Sequence, residues 1–117
     1  MSTEKIINLD AINSLKEMLE DNFDGLFVVF KENSKTNVEN LQTAYAADNK
    51  QDMLSFAHIL KGSCGSLGLT AMYNLMVSIE TSLREDENAD ISAMISELGS
   101  VYQNTLASLI DNGIIDA

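Results

Sequence analysis

Apolar residues recur at helical spacing along nearly the whole chain. Leu9, Ile12, Leu15 and Leu19 form a first stripe, and Phe23, Leu26, Phe27 and Phe30 a second. Val38, Leu41 and Tyr45 make a third. Met53, Phe56, Ala57, Leu60, Cys64 and Leu67 form the fourth, and Leu69, Met72, Met76, Ile79 and Leu83 the fifth. The sixth runs from Ile91 through Met94, Ile95, Leu98, Val101 and Tyr102 to Leu109. Polar punctuation divides them. Thr36 with Glu39 fits a capping box, and Asp48 with Gln51 is a second candidate. Gly68 is placed to end the fourth helix and Thr70 to cap the fifth. Arg84 to Asp90 reads as a polar connector, and Gly113 as the mark of a frayed C-terminus.

Stripes of this width suit helices that each bury one face, and short connectors make successive helices antiparallel neighbours. The pattern predicts an all-α, up-and-down antiparallel four-helix bundle. Its helices fall at about 37–48, 50–67, 70–85 and 89–112, with one or two additional N-terminal helices within about 8–35 capping one end. The whole chain, 1–117, reads as a single domain, with no repeat, low-complexity tract or linker.

Composition sharpens this. Proline is absent and only six glycines occur, which favours long helices over a turn-rich β fold. Seven basic and eighteen acidic residues leave a formal charge of −11. Such a surface repels nucleic acid and anionic lipid, so neither is expected as a partner. The start, MSTEKIINLD, has no apolar signal core, and no apolar run is long enough to span a membrane. The lone cysteine, Cys64, lies on the fourth stripe and is expected to be a reduced, buried, unreactive thiol in a cytoplasmic protein. A monomer is expected, because the stripes can satisfy one another internally.

The chemistry concentrates in the fourth helix, in His58-Ile-Leu-Lys-Gly-Ser-Cys-Gly-Ser-Leu-Gly68. On a helical wheel His58 falls roughly 140° from the centre of the apolar stripe, Gly62 roughly 180° and Gly65 roughly 120°. Lys61 falls roughly 80° away, on the flank. A lone histidine is ordinarily a satisfied core or surface residue, but this one points outward. Glycine within a helix costs about 1 kcal/mol relative to alanine. Gly62, four residues on from His58, shares its face, and Gly65 lies one turn further. Together they strip side chains from around the imidazole and leave a patch through which another protein could reach a ring nitrogen. Lys61, three residues from His58, disfavours a metal cation and favours an anion on the ring. Taken alone, Lys61 would be a solvated flank residue paired with an acid. A neutral imidazole is a nucleophile near physiological pH.

This segment resembles the signature of histidine phosphotransfer (HPt) domains, His-x-Leu-Lys-Gly-Ser-(Ser/Ala)-x-x-Leu-Gly. It departs from that signature only at Cys64. The likeness continues into Ser78-Ile79-Glu80-Thr-Ser-Leu83-Arg84 of the following helix. The resemblance implies that His58 is phosphorylated, through Nε2, that Lys61 steadies the phosphoryl group, and that Gly62 clears the approach. It offers Glu80 as the group that hydrogen-bonds the other ring nitrogen. Glu80 lies roughly 50° from the centre of the fifth stripe, at a seam edge where an acid needs a partner. The bland alternative, that Glu80 pairs with Lys61 or reaches water, stands equal to it. Receivers dock on such domains through a largely apolar patch beside the histidine, and Leu54, Ile59 and Gly65 are candidates for it. Ile59 is expected instead to pack on the N-terminal helices, while Leu54 is open between the two readings.

The implied function is that of a phosphorelay intermediate of two-component signalling. It accepts a phosphoryl group from a receiver aspartate or a hybrid sensor histidine kinase and passes it to a response-regulator receiver. It would be a phosphoryl carrier rather than an enzyme with an ATP site, since no Gly-rich nucleotide loop occurs. No cofactor is expected, the Mg²⁺ belonging to the partner receiver. Free-standing and excised forms of such a domain would share this chemistry. A non-phosphorylated helical adaptor using the same surface is the alternative, and it would tolerate His58→Gln. A metal site is disfavoured by the single histidine, the lack of a Glu-x-x-His pair and the adjacent lysine.

Overall fold

In the computed structural model, which describes residues 3–86 and 90–116, every regular element among the described residues is helical. A short turn, α1 (Thr3–Ile6), leads into α2 (Leu9–Leu19), and a 3₁₀ turn at Glu20–Asn22 joins this to α3 (Phe23–Ala46). Then follow α4 (Lys50–Ser66), α5 (Thr70–Glu85) and α6 (Ser92–Asp111). Helix α3 packs on α4, α4 on α5, α5 on α6, and α6 back on α3, so these four enclose one core. Fully buried side chains such as Phe27, Leu41, Leu60, Met76 and Leu98 fill it, each contributing about 1.5–3 kcal/mol by leaving water.

The second and third apolar stripes belong to one helix, which corrects the expected break near residue 36. Helix α3 runs unbroken for 24 residues, and Thr36 and Glu39 lie inside it rather than at a cap. Its buried residues are Phe23, Phe27, Phe30, Ser34, Val38, Leu41 and Ala44, at continuous spacings of three and four. The stripe looks interrupted in sequence because Ser34 is polar. Buried Ser34 instead shares a 2.7 Å hydrogen bond with the hydroxyl of Tyr102 on α6. No proline or glycine follows Gly25 within α3 to break it. The N-terminal part thus supplies only α1, α2 and the 3₁₀ turn outside the four long helices.

The cap residues also differ by one position from expectation. Asp48 takes a left-handed conformation, φ 53°, and ends α3, with the Asn49 amide donating to the Ala44 carbonyl at 2.9 Å. A residue so placed cannot cap the next helix. Asn49 does so, its side-chain oxygen accepting from the Asp52 amide at 3.1 Å and its Nδ2 donating to the Asp52 carboxylate at 2.9 Å. Leu69, not Thr70, holds the N-cap position of α5, without a side-chain cap. Gly68 adopts φ +73° and ends α4, the Leu69 amide donating to the Cys64 carbonyl at 2.9 Å.

The described residues near both ends are tied down more firmly than the pattern suggested. Ile6 and Ile7 are buried, α1 packs on α5 and α6, and the Asn8 amide donates to the Gly68 carbonyl at 2.7 Å. Asn8 also caps α2. At the other end Gly113, φ +71°, turns the chain so that the Ile114 amide reaches the Leu109 carbonyl at 2.8 Å. Ile114 and Ile115 then pack against the core, so this end is folded back rather than frayed. Part of the expected polar connector, residues 87–89, lies outside the described residues.

Candidate functional site

Helix α4 presents its charge-poor outer face around His58. The apolar stripe of Met53, Ala57, Leu60 and Cys64 is buried, and this forces residues on the opposite side of the helix into solvent. His58 is accordingly 67% exposed at its side chain. A Cβ built on Gly62 would meet nothing within 4 Å, so the bare space beside the ring is open to solvent and serves no internal packing. Gly65 is different. A Cβ there would come within 3.0 Å of two ring carbons of Tyr73 on α5. Its lack of a side chain lets that ring lie across α4, an internal reason that sequence spacing does not reveal.

Glu80 on α5 is the hub of the site. Its carboxylate is buried, with a side-chain exposure of 11%. Lys61 Nζ donates to Oε1 at 3.1 Å, and Arg84 Nε, one turn along the same helix, donates to Oε1 at 3.4 Å. His58 Nδ1 lies 3.4 Å from Oε2, within ion-pair range but short of a formed hydrogen bond. Oε2 has no hydrogen-bond partner among the described residues, and the imidazole N–H is the donor nearest to satisfying it. Burial pushes the Glu80 carboxyl up. The bond and charge of Lys61, with His58 and Arg84, outweigh that and hold it below the ordinary glutamate value. The carboxylate therefore remains ionised beneath the imidazole. One carboxylate oxygen takes the two cations and the other faces the ring.

The remaining candidates fall around this centre. Leu54 is half-buried and, with Ser55, Ile59 and Arg84, borders a shallow depression beside His58. Ile59 is 49% exposed, so the N-terminal part of the chain on which it is expected to pack covers it only in part. It borders a groove between α3 and α4 that Leu26 and Val29 also line. Cys64 is fully buried and its thiol is pushed up to about 12 by burial, so it is inert at neutral pH. Arg84 and Val29 escaped the sequence reading. The i,i+4 spacing of Glu80 and Arg84 was a usable signal for the first. The exposure of Val29 had none, because it depends on where α4 lies.

No helix among the described residues is long and apolar enough to cross a membrane. Comparison with curated proteins finds no match, and no solved structure matches. One family model does match, described as Hpt domain, over residues 25–112. The match takes in α4 and α5 whole, and with them His58, Lys61, Gly62 and Glu80, and leaves α1 and α2 outside. An exposed histidine on a buried-carboxylate hub, within a chain matched over most of its length, makes this protein a member of the Hpt-domain family, the histidine-phosphotransfer modules of two-component phosphorelays.

Proposed function

We propose that this protein is a phosphorelay intermediate in which His58 carries the phosphoryl group between receiver-domain aspartates. The observation that carries the reading is the pairing of a 67% exposed imidazole with a buried, ionised carboxylate 3.4 Å from its Nδ1. Glu80 favours the tautomer with the proton on Nδ1, which leaves the Nε2 lone pair directed outward. Nε2 attacks the phosphorus of an aspartyl phosphate. The new N–P bond forms as the acyl O–P bond breaks, and the aspartate leaves as a carboxylate. The ring keeps its Nδ1 proton and becomes cationic, and Glu80 offsets that charge. The same protonated ring is a good leaving group, so the onward step reverses these events at a second receiver.

Lys61 steadies the phosphoryl group by its charge from its bond to Glu80, and Gly62 gives the receiver's aspartate room to approach. The partner supplies Mg²⁺. Leu54 and Ile59, with Val29 of the same groove, form the apolar part of the docking face. Gly65 belongs at its margin, where its main effect is to seat Tyr73. We read the four long helices as an up-and-down bundle on the strength of the short connections 47–49 and 67–69. The partners are receivers and a hybrid sensor kinase, and the carrier is a cytoplasmic monomer.

The test is transfer from a phosphorylated receiver to wild type and to His58→Gln. An acid-labile, base-stable phosphoryl group on wild type alone is expected. Label on both proteins would move the site elsewhere. Label on neither, across a panel of receivers, would favour a non-phosphorylated adaptor.

A further inference from the structure

A single oxygen, Glu80 Oε1, serves two cations, Lys61 at 3.1 Å and Arg84 at 3.4 Å. With a neutral imidazole the cluster carries two positive charges and one negative, a net positive spot in a chain of charge −11. Such a spot beside an exposed ring suits an anion formed on that ring.

The two cations are not equivalent. Lys61 has the shorter contact and is 28% exposed, in the seam between α4 and α5. Arg84 has the longer contact, is 59% exposed, and borders the same shallow depression as His58. Among the described residues Arg84 bonds only through Nε, which leaves its two Nη groups unengaged. It can leave Glu80 without stripping the carboxylate, because Lys61 stays on the same oxygen. A guanidinium fork also matches two phosphoryl oxygens at once, which an ammonium does not.

We propose that Arg84 is the direct cationic ligand of the phosphoryl group. Its guanidinium turns from Glu80 to the phosphoryl oxygens when His58 is loaded, while Lys61 remains on Glu80. The inference rests on His58 being the phosphoryl carrier.

The chain contains one histidine and one arginine, so a single experiment can follow both. The full-length protein, labelled with ¹⁵N-arginine, is loaded with potassium phosphoramidate. In that reaction Nε2 bonds to phosphorus, the donor's P–N bond breaks and ammonia leaves. Loading is read by ³¹P NMR, and the Nε–H and Nη signals of Arg84 are read by ¹⁵N-edited proton spectra. Loading should shift the Arg84 signals and slow their exchange with water severalfold. Arg84→Lys and Arg84→Gln should both hold the phosphoryl group less well than wild type, with the phosphorus resonance of Arg84→Lys closer to wild type than that of Arg84→Gln. Unmoved Arg84 signals in protein that carries phosphohistidine would overturn the role of Arg84 and leave His58 standing. No phosphohistidine resonance in wild type would overturn both.

Discussion

The hydroxyls of Ser34 on α3 and Tyr102 on α6 meet at 2.7 Å in a buried seam. Each is the other's close partner, and burial holds the Tyr102 hydroxyl above its ordinary range despite the opposite pull of the Ser34 bond. Ser34→Ala strands the buried Tyr102 hydroxyl, which costs about 1–3 kcal/mol, and Tyr102→Phe leaves Ser34 only its long 3.5 Å bond to the Lys31 carbonyl. Removing both leaves nothing stranded. Denaturant melts of Ser34→Ala, Tyr102→Phe and the double variant should therefore give a double loss smaller than the sum of the singles. Strict additivity would show that the two hydroxyls do not depend on each other.

Gly62 separates stability from function. Its Cβ position is open space, so alanine fits without strain and removes the helix cost of glycine. Gly62→Ala should stabilise the fold by about 0.5–1 kcal/mol. The same methyl group sits one turn from His58, on the face proposed for the receiver's approach, and should slow transfer by about tenfold or more. A thermal melt and a transfer time course on the same preparation check both parts. Faster transfer, or a lower melting temperature, would contradict the clearance role.

Glu80 makes part of the stability depend on pH. Its carboxyl is held below the ordinary value of 4.5, so ionised Glu80 favours the folded state. That contribution is complete above the unfolded value and fades as the pH falls through the lowered folded one. Wild type should therefore be more stable than Glu80→Gln at neutral pH, and the gap should narrow steadily on acidification below about pH 4.5. Parallel melts across that range measure it, and a gap that widens towards acid would reverse the sign argued here.

Cys64 should be invisible to thiol reagents until the protein unfolds. It has no solvent exposure, and its thiol is pushed up to about 12. The thiolate is the reactive form, so labelling at neutral pH should track global opening and speed up steeply with denaturant. Rapid labelling of the native protein would mean that α4 opens locally.

Much of the site was legible in the residues because it depends on one helix. The outward direction of His58, the openness at Gly62 and the inward direction of Cys64 all follow from their angle to the stripe of Met53, Ala57 and Leu60. The cap assignments were less legible, since Asp48 and Asn49 are adjacent and chemically alike. The choice between them fell to which one takes the left-handed turn that ends α3. Gly65 looked like a companion of Gly62, yet it is bare because Tyr73, from another helix, lies over it.

By itself the sequence determined the helical class, the extent of α4 and α5 to within a residue, and which face of α4 carries the histidine. Each of these is a matter of spacing along one strand of chain, and the 3.6-residue period converts spacing directly into direction. Only the tertiary structure decided that α3 runs through Ser34, that Ile59 stays half in water, and that Lys61, Arg84 and His58 converge on one carboxylate. Those outcomes depend on side chains brought together from distant positions. A polar residue in an apolar stripe reads as a break until its buried partner is known, and a charged residue at a seam reads as solvated until the opposing helix is in place.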